Sequence, residues 1–268
     1  MSWNLRREEV LDGDQLRAML EESPASAARA ILSAAQANIV DAQALLGQIL
    51  LDGAGIEQDP SLAMTWFQIA ARNGHAMAHN MLGRCQEHGW GCEPDAAKAA
   101  ECYRLAAQAD LDWGFYNYGN LLATGRGVNK DQARALACYR KAAHMGHAKS
   151  MNMLGRYLEE GVSCEQDLPA AHHWYRRSAE AGDFRGQFSH AAVLADQGDI
   201  QQSLHWLGTA LRNGNLNFLR VSRQTLLSSP HPEIKRLAID YFTKASAIGT
   251  AEDKAALSHF LKNAKTAA

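Results

Sequence analysis

Residues 76–109 read AMAHNMLGRCQEHGWGCEPDAAKAAECYRLAAQA, and the same pattern recurs on either side of them every 36 residues, from Asp41 to Asp183. Gly47, Gly83, Gly119 and Gly155 form one column, and Gly53, Gly89, Gly125 and Gly161 a second. Asp59, Asp95, Asp131 and Asp167 form a third, followed by Ala63, Ala99, Ala135 and Ala171. Phe67, Tyr103, Tyr139 and Tyr175 make an aromatic column, and Ala71, Ala107, Ala143 and Ala179 close the unit. With only 21 glycines in 268 residues, two four-fold glycine columns at one spacing are not chance. A fixed period of about 20–50 residues marks a chain built of stacked repeats, each too small to bury its apolar face alone.

Each unit reads as two antiparallel helices. Ala78, Met81, Leu82 and Cys85 follow the i, i+3, i+4, i+7 spacing of an amphipathic helix, here called A, from Ala76 to about His88. Gly83 lies on that apolar face, where the missing Cβ lets the second helix come close. A glycine inside a helix costs roughly 1 kcal/mol against alanine, so close packing has to offset it. Gly89 suits the left-handed position that ends a helix, and Gly91 continues the turn. Asp95 accepts from the free N–H groups that open helix B, whose apolar face is Ala99, Tyr103, Ala106 and Ala107. Gly74, Gly146 and Gly182 end the B helices, while Asp110 departs from that column. The expected fold is therefore all-α, a solenoid of antiparallel helix pairs.

The flanks extend the pattern. Ser23-Pro24 stands 36 residues before Asp59-Pro60, and both pairs read as a capping oxygen followed by proline in the first helical position. Residues 1–40 are therefore read as N-terminal capping helices that include a half repeat, with a helical patch around Leu16, Met19 and Leu20. Residues 41–215 hold about five units. The fifth is shortened, because the 19 residues from Gly155 to Trp174 become 15 from Ala191 to Trp206, and the loss falls in the loop between its two helices. Residues 216–268 read as a divergent pair, Leu216 to Leu227 and Pro232 to Ile248, and a polar capping helix over 250–265 opened by a Thr250/Asp253 capping box.

Composition excludes several classes. A net charge of −2 argues against a generic nucleic-acid binder, which would need a basic surface to neutralise phosphates. No window approaches 18 consecutive apolar residues, so no membrane span is expected, and the polar, charged start is not a secretory signal. Five cysteines, an odd number, point to reduced thiols and a cytoplasmic setting.

Ala78-His-Asn-Met-Leu-Gly83, Gly89-Trp-Gly91, Asp95 and Ala99-Ala-Glu-Cys-Tyr-Arg-Leu-Ala-Ala107 resemble one unit of the Sel-one-like repeat (SLR) family, an α/α relative of the tetratricopeptide repeat. Met153-Leu-Gly155, Gly161-Val162, Asp167 and Trp174-Tyr-Arg-Arg-Ser-Ala179 match as well. Four units covering 42–183 match well and a fifth in part. The resemblance implies a right-handed superhelix that serves as a scaffold or adaptor and carries no catalytic residues. Fold by analogy does not deliver function.

In the tetratricopeptide arrangement, helix A lines the concave groove. Asn80, Tyr116 and Asn152 occupy one column there, Arg84, Asn120 and Arg156 lie one turn on, and Trp113 and Lys149 lie one turn earlier. Asparagine donates and accepts together, which suits a peptide backbone, and arginine offers a bidentate fork to carboxylate. These eight residues are the candidate partner-binding set, for a protein or peptide bearing an acidic or C-terminal carboxylate group. The competing reading is a solvated polar row neutralised by Glu87 and Glu159.

Cys85-x-x-His88-x-x-x-Cys92 lacks the paired cluster of a structural zinc site, and Cys85 sits on the core stripe. His75 and His147 share one inter-repeat column, which points to turn chemistry, and Cys102 and Cys138 share a column with Trp66 and Trp174 as core hydrophobes. No catalytic constellation, cofactor motif or metal motif is present in the sequence. The expected function is a non-catalytic, cytoplasmic module holding a peptide or helix of a partner in its groove. The alternatives are a hydrolase, by analogy with cysteine-rich relatives that act on β-lactams, and a self-associating structural module.

Overall fold

The structure, a computed structural model, describes residues 23–266, with side chains as far as Lys262. The patch around Leu16, Met19 and Leu20 lies outside the described residues. Among the described residues there are fourteen α-helices and no strand. The described residues form two compact units, divided between Asp131 and Gln132.

The first unit contains α1 (Pro24–Gln36), α2 (Val40–Asp52), α3 (Pro60–Arg72), α4 (Ala76–His88), α5 (Ala96–Gln108) and α6 (Asp112–Thr124). Each helix packs against its chain neighbours, and α4 also touches α6, so the A helices α2, α4 and α6 form one layer and the B helices α1, α3 and α5 the other. The second unit contains α7 (Gln132–His144), α8 (Ala148–Glu160), α9 (Leu168–Glu180), α10 (Phe184–Asp196), α11 (Ile200–Asn213), α12 (Leu216–Ser228), α13 (Pro232–Ile248) and α14 (Ala251–Thr266). There α8 touches α10 in the A layer and α11 touches α13 in the B layer.

The repeated residues build the pairs. At Gly47, Gly83 and Gly155 the aromatic ring of the following B helix packs on the bare backbone. An added Cβ would come within 2.6 Å of Phe67, 2.5 Å of Tyr103 and 2.6 Å of Tyr175 respectively. Those rings are fully buried, as are Leu46, Leu121 and Leu154 of the A helices. Where the ring is tyrosine, its hydroxyl needs an acceptor once buried. Tyr103 donates to Glu87 at 2.7 Å and Tyr175 to Glu159 at 2.6 Å. Where the ring is Phe67, the position sixteen residues earlier is the apolar Leu51. The competing reading, in which Glu87 and Glu159 neutralise Arg84 and Arg156, is thus corrected. Both carboxylates hold tyrosine hydroxyls, Glu87 also meets Arg126, and Arg156 turns to Glu160 at 3.3 Å.

The caps follow the columns with one exception. Asp59, Asp95, Asp167 and Asp199 each accept from backbone N–H groups two or three residues on. Ser23 does not cap α1; its hydroxyl donates to the Ser26 hydroxyl instead, and Pro24 alone shapes that end. The inter-repeat column caps the A helices: Nδ1 of His75 accepts from Ala78 N, Nδ1 of His147 from Ser150 N, and the carboxylate of Asp183 from Gly186 N. The column ending the B helices keeps one backbone shape whatever its residue, left-handed at Gly74, Gly146 and Gly182 and also at Asn38 and Asp110. Asparagine and aspartate tolerate that region better than other side chains.

In the shortened fifth repeat α10 ends at Asp196 and α11 begins at Ile200, leaving Gln197-Gly198-Asp199 as the whole connection. At the C-terminal end, the carboxylate of Asp253 accepts from Thr250 N at 3.0 Å, which is one half of the expected capping box. It also takes both arms of Arg220, at 2.9 and 2.6 Å.

Candidate functional site

The eight candidate residues stand on A helices in both units. Asn80 and Arg84 are on α4, Trp113, Tyr116 and Asn120 on α6, and Lys149, Asn152 and Arg156 on α8. Asn80 and Asn152 are buried, at 2% and 4% exposure. Asn80 accepts from the Asn117 amide at 2.8 Å, and Asn152 accepts from the Ser189 hydroxyl at 3.0 Å. Each bond joins one A helix to the next, because a polar group held in the seam between helices must find a partner there. Asn80 and Asn152 are therefore rungs between repeats. The half-buried or exposed members of the set are Arg84, Trp113, Tyr116, Asn120, Lys149 and Arg156.

In the first unit, the guanidinium of Arg84 lies over the Trp90 ring, 4.9 Å from its centre. A cation on an indole face gains about 0.5–1 kcal/mol at an exposed site. Together they wall a cleft of about 310 Å³ between α2 and α4, completed by Gln48, Leu51, Asp52 and Gln58. A second cleft of about 290 Å³ shares Gln48 and continues along the same two helices past Leu45, Met77 and Met81. Met77 is exposed, a soft and adaptable surface for an apolar side chain. Further along the A layer, Trp113 and Tyr116 meet edge to face with centres 6.1 Å apart. In the second unit, Lys149 lies near the buried cap Asp183, whose carboxyl is pushed up by burial and drawn back by the Gly186 N–H, Arg185 and Lys149.

Trp90, Gln48 and Asp52 were not anticipated. The signal for Trp90 is a large aromatic between two turn glycines, Gly89 and Gly91. Gln48 and Asp52 carry no motif, and only the packing of α2 beside α4 brings them to the cleft.

The cysteine and histidine motifs resolve into structure. Cys85 is fully buried, and burial first, then Cys92, pushes its thiol up to about 11. Burial likewise pushes Cys102 and Cys138 up to about 11. Cys92 and Cys164, two repeats apart, donate to the carbonyls of Cys85 and Tyr157 near the ends of their A helices. His88 leans on Trp90 instead, at 4.9 Å. Among the described residues no group of three or more His, Cys, Asp or Glu is arranged to hold a metal, and no helix is long and apolar enough to cross a membrane.

Comparison with known proteins bears on this arrangement. A crystal structure of a Sel1 repeat protein from Oxalobacter formigenes is 25% identical over 87% of this chain and 99% of that one, with a TM-score of 0.73. A protective antigen of uropathogenic Escherichia coli displaying an SLR fold is 25% identical, with a TM-score of 0.65, over 92% of this chain and 55% of its own. An immunity protein of Pseudomonas aeruginosa shares the fold at 17% identity and a TM-score of 0.50, over 78% of this chain and 83% of that one. Comparison with curated proteins returned no match. The model of the Sel1 repeat matches five times, at residues 40–75, 76–111, 116–147, 148–183 and 194–215, which is more than half of the chain. With the glycine, aspartate and aromatic columns in their structural places and five repeats matched, the chain belongs to the Sel1 repeat family.

Proposed function

We propose that this protein is a non-catalytic interaction module that holds an extended or helical segment of a partner protein against the face formed by its A helices. Sel1 repeat proteins generally act as protein-interaction scaffolds. One observation carries the reading. The two clefts between α2 and α4 run end to end through Gln48, from the apolar Leu45, Met77 and Met81 to the stacked pair Arg84 and Trp90. Such a track offers anchors for apolar side chains and, at its end, a cation already oriented by an indole. A carboxylate of the partner, from an acidic side chain or a C-terminus, suits Arg84 through its bidentate fork. Trp113, Tyr116 and Asn120 extend the same layer on α6; in the second unit, Lys149 and Arg156 are the candidate cations of α8.

Capture of partners from the native cell with the wild type beside the Arg84→Ala/Arg156→Ala variant tests this. The expected outcome is a set of partners lost with the variant, with affinity for the purified partner reduced at least about tenfold and an unchanged thermal melting curve. Retention of every partner at unchanged affinity would move the site away from the A helices. A cytoplasmic setting, where thiols stay reduced, fits the five free cysteines and is part of this proposal.

A further inference from the structure

In the first unit each loop from helix A to helix B closes over the start of the preceding B helix. Gly55 lies on Pro24, Gly91 on Pro60 and Gly127 on Ala96, so near that a Cβ would come within 2.2, 2.4 and 2.2 Å of those backbones. In the second unit the equivalent cover for α9 would be the loop between α10 and α11, and that loop is the shortened one. Gln197-Gly198-Asp199 does not reach over α9. Leu168 at its start is 44% exposed, and Pro169 forms the rim of a cleft of about 460 Å³. The deletion has left a hollow on the side of the B helices where the repeats of the first unit carry a loop.

The hollow has a definite chemistry. Val193, Leu194 and the Trp206 ring supply its apolar wall. His172, His173 and Arg176 enter from α9 and His190 from α10, and none of the residues lining the cleft is acidic. Nδ1 of His190 is buried without a hydrogen-bond partner, its ring held edge-on to Trp206 at 5.6 Å. A buried nitrogen left unpaired costs free energy that a bound group or a proton could recover. Arg176 is exposed and spends its charge only on Glu180 of its own helix, 3.8 Å away, a surface pair of small worth.

We propose that this cleft is a second binding site, for a carboxylate on a short alkyl stem, which seats its charge among Arg176, His172, His173 and His190 and lays its stem on Val193, Leu194 and Trp206. An acidic side chain of a bound protein segment and a small dicarboxylic acid both carry that chemistry. The site is independent of the A-helix groove. Binding strengthens as the pH falls, because protonated imidazoles add positive charge opposite the anion. The groups facing His190 are Arg176, His172 and Glu180 from α9, with His205 of α11 on the same Trp206 ring. Burial first, then Arg176, holds the His190 imidazolium below the usual histidine range, so an arriving carboxylate is the charge that would favour it.

The test is a titration of the full chain, with ring-labelled histidines followed by NMR, using an acetylated and amidated hexaglutamate peptide and, separately, glutarate. The expected result is saturable movement of the His172, His173 and His190 signals near pH 6, weaker by at least about tenfold near pH 8. The Arg176→Gln/His173→Gln variant changes two exposed side chains and should weaken binding at least about tenfold with an unchanged melting curve. Binding of hexaglutamate alone identifies an acidic protein segment as the occupant; equal binding of glutarate identifies a small carboxylate. Absence of saturable movement with either probe near pH 6, or unchanged affinity in the double variant, would overturn the proposal.

Discussion

A glycine in the middle of a helix is a small, testable statement about packing. At Gly83 an added methyl group would meet the Tyr103 ring at 2.5 Å, whereas at Gly74 nothing lies within 4 Å and the obstacle is only a φ of +85°. Gly83→Ala should therefore cost about 1–3 kcal/mol by overpacking despite the better helix propensity of alanine. Gly74→Ala should cost about 1 kcal/mol through its left-handed backbone. Urea denaturation of the two variants measures both, and a stabilised Gly83→Ala would sink the packing account. The asparagines give the complementary lesson. Asn80 and Asn152 are polar and stand at groove positions by alignment, which made them look like ligand contacts. Their partners Asn117 and Ser189 lie 37 residues away, one beyond the repeat, and a reading by columns of 36 does not pair them.

At the scale of the helix pair, the coupling of Tyr103 to Glu87 and of Tyr175 to Glu159 replaces an apolar contact by a charge-assisted hydrogen bond. Burial first, then the bond to Glu87, drives the Tyr103 hydroxyl far above the ordinary tyrosine range, so it stays a donor at every physiological pH. A double-mutant cycle with Tyr103→Phe and Glu87→Leu should show a coupling of about 1–3 kcal/mol. The double variant restores the Phe67 and Leu51 combination of the first repeat and should be more stable than Glu87→Leu alone, which strands a buried hydroxyl. Additive losses in the cycle would mean that the two groups do not act as a pair. The sequence contained the exchange of Leu51 with Phe67 for Glu87 with Tyr103, although Ala123 stands sixteen residues before Tyr139. It is legible only once the two positions are known to touch, since sixteen residues and a turn separate them.

At the scale of the whole molecule, α14 is tied to the helices before it by a buried carboxylate as well as by the stacked rings of Phe242 and Phe260. Asp253 is 2% exposed and accepts from both arms of Arg220 and from Thr250 N, with Arg223 3.8 Å away. Hydrogen bonds from Arg220, then Thr250, hold its carboxyl far below the usual range. A group whose pKa is depressed by folding contributes stability that is present above its unfolded value, about 3.9, and lost as the pH falls through its folded value. The stability difference between wild type and Asp253→Asn should therefore be constant above about pH 5 and shrink steadily below about pH 4. Acid denaturation of the two proteins measures it. A difference that stays flat into strong acid would mean that the ion pair is not what anchors α14.

Sequence periodicity by itself determined the helices, their ends and the stacking of pairs, because caps, left-handed turns and glycine contacts are local demands that each repeat must meet again. It also located the shortened loop, by counting. Only the tertiary structure decided what those features do at the surface. It turned two candidate ligand residues into rungs between helices, assigned Glu87 and Glu159 to tyrosines rather than to Arg84 and Arg156, and stacked Arg84 on Trp90. It also made the four missing residues of the fifth repeat into a cleft lined by His172, His173, Arg176 and His190. The reason is physical. A helix end is satisfied by its own neighbours in the chain, whereas a cleft is the space between elements, and its chemistry depends on which side chains meet across it.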